Sequence, residues 1–309
     1  YMGTNSFHPN TPSHSRVYIW GICITGPDRA FYTFTVSLFI VLSVTVYIYV
    51  SPFIIRRLPI FGIIYLTVFF VSDSFCFVNL LITAYKDPGI IPRQPPIEED
   101  PFRNFKRTIN ITINGVTVQR KYCETCNLFR APRASHCSVC DNCVEDFDHH
   151  CPWVGNCIGR KNYRFFLAFI FSLLFNCFMT YIGCIIHIIT IWIAGGSFGR
   201  GLVWVLLFCN LSIVLMLLLI PVTCLVGMLV IFHSMLLCKN STTYEHIRGQ
   251  YRRKNPYNIG IFKNCVYRFC GDCVPGNTKY FVAYSAEQSR ETYPPVTKWP
   301  PAVPVIYSD

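Results

Sequence analysis

Charged residues are scarce in this sequence. Only 14% of its 309 residues carry a charged side chain, whereas about 25% is usual in a soluble globular domain. Apolar residues reach 52% and aromatic residues 16%. This balance excludes an ordinary soluble domain and directs attention to the long apolar segments.

Acidic residues are the scarcer charge type, with 16 Asp and Glu against 27 Lys and Arg. The resulting net charge of +11 favours acidic partners, namely an anionic lipid leaflet or a phosphate-bearing cosubstrate. Nucleic acid is the other usual partner of a basic protein. We exclude it because the basic residues are dispersed along a chain that also contains four predicted membrane spans.

Four apolar runs are long enough to cross about 30 Å of hydrocarbon as helices. Asp73 and Asn79 in the second run would be costly against lipid, so they should face the interior of a helical bundle. Pro221 predicts a kink in the fourth run. The sequence therefore predicts an α-helical membrane protein with four transmembrane helices. The runs are 31–55, 60–85, 163–194 and 202–237.

Polar segments divide the chain into five predicted parts. The three polar parts, taken with Arg164, hold 24 of the lysines and arginines, and the two short loops between paired spans hold three. The positive-inside rule therefore places the polar parts in the cytosol. Asn114-Gly115 in an alternating stretch predicts a β-hairpin within the large loop. The parts are an N-terminal segment, 1–30, made of a flexible lead-in and a short pre-membrane segment around 17–25; two spans, 31–85; the large loop with its hairpin and zinc stretch, 86–162; two further spans, 163–237; and a tail, 238–309.

The large loop contains a stretch rich in metal-ligand residues, 123–157. Cysteines two residues apart, followed by a histidine, have the spacing of zinc sites, because two such thiolates can share one tetrahedral ion. Two structural zinc ions need eight ligands, whereas ten ligand-type residues are present. These are Cys123, Cys126, His136, Cys137, Cys140, Cys143, His149, His150, Cys151 and Cys157.

The two surplus residues suggest chemistry beyond metal binding. Asp148, His149 and Cys151 place an acid, an imidazole base and a thiol within four residues, and these are the parts of an activated cysteine nucleophile. Reduced thiols also agree with a cytosolic location. The count alone does not identify the surplus pair. The alternative is that all ten residues are metal ligands or spare thiols.

The tetrapeptide Asp148-His149-His150-Cys151 and the residues that follow it to Phe166 resemble the DHHC family of protein S-acyltransferases. The resemblance implies a two-step reaction in which Cys151 takes an acyl group from palmitoyl-coenzyme A and passes it to a protein cysteine. His149 would act as the base towards Cys151, and Asp148 would orient His149. The resemblance to the family covers roughly residues 31–273 and includes the family's Asp-Pro-Gly motif at 87–89.

The same resemblance implies two structural zinc ions with interleaved ligands. His149 and Cys151 would then remain free, in agreement with the surplus of two. The first ion would bind Cys123, Cys126, His136 and Cys143, and the second would bind Cys137, Cys140, His150 and Cys157.

Two motifs after the last span also resemble the family. Thr242–Glu245 matches the Thr-Thr-x-Glu motif, in which Thr243 would contact Asp148. The same four residues form a capping box that predicts the start of a helix. Tyr257 and Asn264 belong to a segment like the family's C-terminal motif, and they would pack the tail against the spans.

Each candidate for substrate contact has two interpretations. Trp153 would pack against the acyl chain, or it would anchor the protein at the membrane interface. Asn176 would lie near the closed end of an acyl cavity, or it would join two helices. Four basic residues would contact coenzyme A phosphates or lipid headgroups, namely Arg130, Arg133, Arg160 and Lys161.

The expected partners are the lipid bilayer and protein substrates with membrane-proximal cysteines. Residues 87–93 and the hairpin resemble the Ras-acylating branch, in which some members need a small accessory subunit, so such a subunit is an open alternative. The expected location is the ER, the Golgi or the plasma membrane, with a cytosolic active site. The rival interpretation is a catalytically silent scaffold that binds partners through its zinc domain, and the presence of both Cys151 and His149 argues against it.

Overall fold

The computed structural model describes residues 13–18, 23–94, 108–251 and 253–270. Within these residues, four helical segments are long and apolar enough to cross a membrane. Clusters of cysteine and histidine lie between the second and third segments. The predicted fold class is therefore confirmed. The segments are Arg29–Arg57, Pro59–Tyr85, Tyr163–Ala194 and Asn210–Lys239.

The first segment is a helix with one wide turn. It consists of α1 (Arg29–Thr45), a π-helical turn (Val46–Val50) and α2 (Ser51–Arg57). Pro52 explains the wide turn, because proline lacks an N–H and its ring collides with the carbonyl four residues earlier in a regular helix. Helix α3 (Pro59–Tyr85) begins with a proline in its first turn, where the missing N–H removes no helical hydrogen bond.

Helices α3 and α4 (Tyr163–Ala194) pack along each other in the centre of the bundle. Asp73 of α3 faces this interior as predicted, and its carboxylate accepts hydrogen bonds from Ser43 Oγ at 2.8 Å and Tyr47 Oη at 3.1 Å. Asn79 is also buried. Both polar residues of the second run are therefore shielded from lipid by their own bundle.

The fourth apolar run contains two helices rather than one. Helix α5 (Phe198–Phe208) and helix α6 (Asn210–Lys239) are separated at Cys209, whose φ of −114° and ψ of 10° lie outside helical geometry. The apolar composition continues across this break, so hydropathy alone does not reveal it. Helix α6 continues through Pro221.

The polar loop folds into small antiparallel sheets. Strands β4 (Thr108–Ile113) and β5 (Val116–Cys123) pair across Asn114-Gly115, and both turn residues have positive φ. Strand β5 also pairs with β6 (Leu128–Phe129). The other strands are β3 (Ile90–Ile91), β7 (Ser135–Cys137) and β8 (Asn142–Val144), which share one sheet, and β9 (His149–Cys151) and β10 (Asn156–Ile158), which pair as a hairpin.

The described part of the N-terminal segment is bound to the polar loop. Strands β1 (Arg16–Tyr18) and β2 (Cys23–Thr25) form a hairpin. His14 N donates to Cys140 O at 3.1 Å, and Gly26 N donates to Gly155 O at 2.7 Å. Strands of three residues are too short to produce a recognisable alternation, so the sequence does not predict this hairpin. Residues 1–12 of this segment lie outside the described residues.

Two short helices follow the last span. Thr242 caps α7 (Thr243–Ile247) with the predicted capping box, in which its side chain accepts from Glu245 N at 3.1 Å and the Glu245 carboxylate accepts from Thr242 N at 2.9 Å. Helix α8 (Ile261–Cys270) packs against α6. The remainder of the predicted tail, 271–309, lies outside the described residues.

Candidate active site and metal centres

The structure brings together the two predicted sets of metal ligands. In the described part of the chain, the ligand atoms of each set lie within 4.8 Å of one another. His136 Nδ1 is 3.5 Å from Cys126 Sγ, and His150 Nδ1 is 3.4 Å from Cys140 Sγ, so Nδ1 is the ring nitrogen of each histidine that faces the thiols of its set. The sets are Cys123, Cys126, His136 and Cys143, and Cys137, Cys140, His150 and Cys157.

A carboxylate lies against the other ring nitrogen of each of these histidines. Asp28 Oδ2 is 2.5 Å from His150 Nε2, and Asp141 Oδ1 is 3.4 Å from His136 Nε2. Such carboxylates fix the tautomer and the ring orientation of a metal-binding histidine. Three thiolates and one imidazole at each site suit tetrahedral zinc, and the outer carboxylates strengthen this fit. Sequence reasoning did not identify Asp28, because its histidine is 122 residues away.

Strand β9 separates the two adjacent histidines by simple alternation. Successive side chains of a strand point to opposite faces, so His149 and Cys151 share one face of β9 and His150 occupies the other. His150 is paired in register with Cys157 of β10, which belongs to the same metal set. The local backbone therefore explains how neighbouring histidines can have different surroundings.

On its own face, His149 lies between an acid and a thiol. His149 Nδ1 is 2.8 Å from the buried Asp148 Oδ2, and Cys151 lies two residues further along the same face of β9. Burial opposes charge on both Asp148 and His149. The hydrogen bond between them outweighs burial and lowers the pKa of Asp148. The same bond, together with the neighbouring Cys151 sulfur, raises the pKa of His149 to about 10. The arrangement favours the imidazolium form of His149 on the face of β9 that also carries Cys151.

Asp148 is held from the segment after the last span. Its Oδ1 accepts a hydrogen bond from the backbone N–H of Thr243 at 2.9 Å. The predicted contact between these residues is thus made by the main chain. The hydroxyl of Thr243 is buried and has no hydrogen-bond partner among the described residues.

Cys151 lies where the polar loop meets the bundle. Its side chain is in one apolar cluster with Leu80 of α3 and Phe166 of α4, and the residue is only 8% exposed. The ring of His149 contacts Phe166 edge to face at 5.4 Å. A thioester formed on Cys151 would have apolar side chains of the spans as immediate neighbours.

His233 of α6 is a site residue that sequence reasoning missed. Its ring is 6.0 Å from the ring of His149, and its Nδ1 is 3.1 Å from Tyr163 Oη. An imidazole inside an apolar run is as conspicuous as Asp73, and this signal was available in the sequence. Its position beside His149 depends on how the helices pack, and the sequence alone does not reveal that packing.

Arg133 does not lie at the surface. Its side chain is 0% exposed, and it makes a two-pronged ion pair with Glu245, Nε to Oε1 at 2.8 Å and Nη2 to Oε2 at 3.0 Å. Nη1 donates to Asn240 Oδ1, and the guanidinium lies 4.4 Å from the ring centre of Tyr257. Through these contacts the Arg133 side chain connects the polar loop to the segment that follows α6. Arg130 is half-buried, and a role for either arginine in phosphate binding stays a prediction.

Trp153 and Asn176 have very different surroundings. Trp153 is 54% exposed and contacts the ring of Phe31 at 5.5 Å. Asn176 is buried, and its Oδ1 accepts from Ser72 Oγ of α3 at 2.5 Å. The second geometry is a helix-to-helix contact, and both substrate roles stay predictions.

Tyr257 and Asn264 lie against the end of α6. Asn264 Nδ2 donates to Cys238 O at 2.8 Å, and Tyr257 O accepts from Asn240 Nδ2 at 2.8 Å. Through these bonds the start of the tail is fixed to the last span, beside the residues that hold Asp148.

The structure combines four candidate membrane spans with a domain that contains two metal-ligand clusters and a Cys-His-Asp arrangement. These features define a multi-pass membrane protein with a cysteine-rich domain. The chain belongs to the DHHC palmitoyltransferase family. Residues 116–250 match the family model described as DHHC palmitoyltransferase.

Similar curated proteins carry acyltransferase names. Palmitoyltransferase ZDHHC18-A of Danio rerio is 38% identical over 85% of this chain and 59% of its own length. Probable protein S-acyltransferase 2 of Arabidopsis thaliana is 36% identical over 82% of this chain and 64% of its own length. Palmitoyltransferase ZDHHC18 of Mus musculus is 36% identical over 85% of this chain and 73% of its own length. The chain thus spans less than two thirds of the first two relatives.

Proposed function

We propose that the protein is a membrane-bound protein S-acyltransferase that uses Cys151 as its nucleophile. The main observation is that Cys151, His149 and Asp148 lie next to one another at the membrane end of the domain. Membership of the DHHC palmitoyltransferase family supports it. Palmitoyl-coenzyme A is the proposed donor, because the apolar surroundings of Cys151 suit a long acyl chain.

The proposed reaction has two balanced steps. In the first, the Cys151 thiolate attacks the thioester carbonyl of the donor, the bond from that carbonyl to the sulfur of coenzyme A breaks, and the leaving thiolate takes the proton held by His149. In the second, a substrate thiol gives its proton to His149 and attacks the Cys151 thioester, which releases Cys151. Asp148 holds the imidazole in position throughout.

The proposed role of the two metal sites is structural. Zinc, when bound, would cross-link each set of three cysteines and one histidine and so stabilise the fold of the domain. His150 and Cys157 hold strands β9 and β10 together through one of these sets. Cys151 is therefore carried on a strand whose opposite face is anchored.

The proposed setting is the cytosolic face of the ER, the Golgi or the plasma membrane. The excess of basic residues in the polar parts supports this orientation. Proposed substrates are proteins with membrane-proximal cysteines, since Cys151 lies where the spans begin. A small accessory subunit remains an open part of the proposal.

Labelling with an alkyne analogue of palmitoyl-coenzyme A tests this function against the silent scaffold. Purified full-length protein should acquire a label that hydroxylamine removes, and Cys151→Ser should lose it. Cys238→Ser is the matched control, because Cys238 is an exposed thiol at the end of α6. Equal labelling of wild type and Cys151→Ser, or none in the wild type, would favour the scaffold.

A further inference from the structure

His233 is an imidazole inside the apolar helix α6, and the proposed reaction does not use it. The residue is 1% exposed, so its ring is buried among the spans. Burying a polar ring in an apolar helix costs free energy, and polar residues within membrane spans commonly serve a function. One ring nitrogen of His233, one ring nitrogen of His149 and one carboxylate oxygen of Asp148 lie within 4.8 Å of one another. His233 is therefore placed where it can act on this acid-base pair.

The ring of His149 contacts two rings that belong to the spans. Its centre is 5.4 Å from the ring centre of Phe166 of α4 and 6.0 Å from that of His233 of α6. Phe166 and His233 also contact each other edge to face at 5.1 Å. The three rings thus form a closed triangle. In a closely packed cluster, the His149 ring can turn about its χ2 angle only if one of the other two rings moves.

Contacts with α4 and α8 fix the orientation of the His233 ring. Its Nδ1 is 3.1 Å from Tyr163 Oη, which is within hydrogen-bond distance. The Tyr163 ring is itself buried, and the guanidinium of Arg268 of α8 lies 4.5 Å from its centre. Arg268 Nη2 donates to Ser241 O at 3.0 Å. This row of side chains connects α8 and α4 to His233, so the ring that lies against His149 is held in one orientation.

We propose that His233 is a positioning residue, which holds the imidazole of His149 in the orientation that proton transfer requires. The inference rests on the proposed acyl transfer, in which His149 gives its proton to the leaving thiolate and regains one from the substrate thiol. A misplacement of about 1 Å at a reacting group can slow a reaction about 100-fold. The alternative is that His233 only joins α4 to α6 through Tyr163.

The kinetics of acyl-enzyme formation on the full chain give the first test. His233→Leu should slow acylation of Cys151 at saturating palmitoyl-coenzyme A about 10–100-fold, with little change in the donor KM, because the ring contacts act on the base and not on the donor. His233→Asn is nearly isosteric with the Leu variant and retains a polar group near Tyr163 Oη, so it should recover part of the rate. Ser234→Ala is the matched control, because Ser234 is the next residue of α6 and its hydroxyl donates to Val230 O of the same helix.

A double-variant cycle distinguishes positioning from a purely structural role. The readout is alkylation of Cys151 by iodoacetamide at one neutral pH, located by peptide mass spectrometry, and it does not depend on acyl transfer. His233→Leu should slow this alkylation when His149 is present and should have no further effect in the His149→Ala background. An equal slowing in both backgrounds, or no slowing in either, would overturn the proposal.

Zinc content checks that each variant is folded. If His233→Leu does not fold, Tyr163→Phe replaces it, because it removes a single oxygen atom and with it the hydrogen bond to His233. This variant should slow alkylation severalfold in the same His149-dependent way. A wild type that forms no acyl-enzyme, while its alkylation still depends on His233 through His149, would refute the proposed function and support the positioning role.

Discussion

The buried ion pair between Arg133 and Glu245 should make a measurable contribution to the free energy of unfolding. It joins the cysteine-rich domain to α7, whose first residue, Thr243, donates to Asp148. The side chains of the pair are 0% and 2% exposed. Glu245→Gln keeps the size of the side chain and removes its charge, so the buried guanidinium of Arg133 loses its direct ion-pair partner and retains only the weaker attraction of Asp146.

The expected destabilisation is about 3 kcal/mol or more. Removing one partner of a buried ion pair costs roughly 3–5 kcal/mol, because the remaining charge stays in a medium of low dielectric constant. Gln can still accept from Thr242 N, so part of the capping box is retained and the lower end of this range applies. About 3 kcal/mol corresponds to roughly a 100-fold increase in the unfolding constant.

Urea unfolding in detergent, followed by release of zinc to a chelating dye, measures this loss. Lys121→Gln is the matched control, since it removes an exposed charge from the same domain and should change stability little. Adding Arg133→Met to Glu245→Gln should recover part of the stability, because the buried charge is then removed. A cost below about 1 kcal/mol for Glu245→Gln, or strict additivity in the double variant, would refute the assigned role of the pair.

Three further predictions concern metal binding and the acyl cavity. Elemental analysis should find about two zinc ions per chain, and His150→Ala should lower this number whereas His149→Ala should not; equal losses would contradict the different roles of the two histidines. Asp28→Asn should weaken zinc binding at the second cluster by about 10–100-fold in chelator competition, with Asp141→Asn acting on the first cluster instead; no effect of Asp28→Asn would show that its contact with His150 is dispensable. Asn176→Trp should shift donor preference towards shorter acyl-coenzyme A with unchanged zinc content, and an unaltered chain-length profile would leave Asn176 as a helix contact.

The spans and the metal-ligand residues could be predicted from sequence because their signals are local. An apolar run needs only its length, and cysteine spacing needs only a few positions. Asp73 could be assigned to the bundle interior because a carboxylate facing lipid is so unfavourable. The break at Cys209 could not be predicted, since no change in apolar composition marks it.

The finer features of the site depend on contacts between distant residues. The division of labour between His149 and His150 follows from the alternation of β9, a strand of three residues that no pattern identifies. More than a hundred residues separate Asp28 from His150, and Arg133 from Glu245, so both contacts depend on the tertiary fold. Arg133 illustrates the limit, because the sequence does not reveal its buried partner Glu245, which lies 112 residues further along the chain.

Locating the acyl group by peptide mass spectrometry, followed by a chase, tests the central claim most directly. After a single turnover with palmitoyl-coenzyme A, the added mass should lie on the peptide that contains Cys151 and should be absent from peptides of the two metal clusters. Adding a membrane-anchored peptide with one cysteine should then remove the acyl group from Cys151 and place it on that peptide at the same rate. Acyl mass on another cysteine, or a Cys151 thioester that persists while the peptide is acylated, would contradict the account.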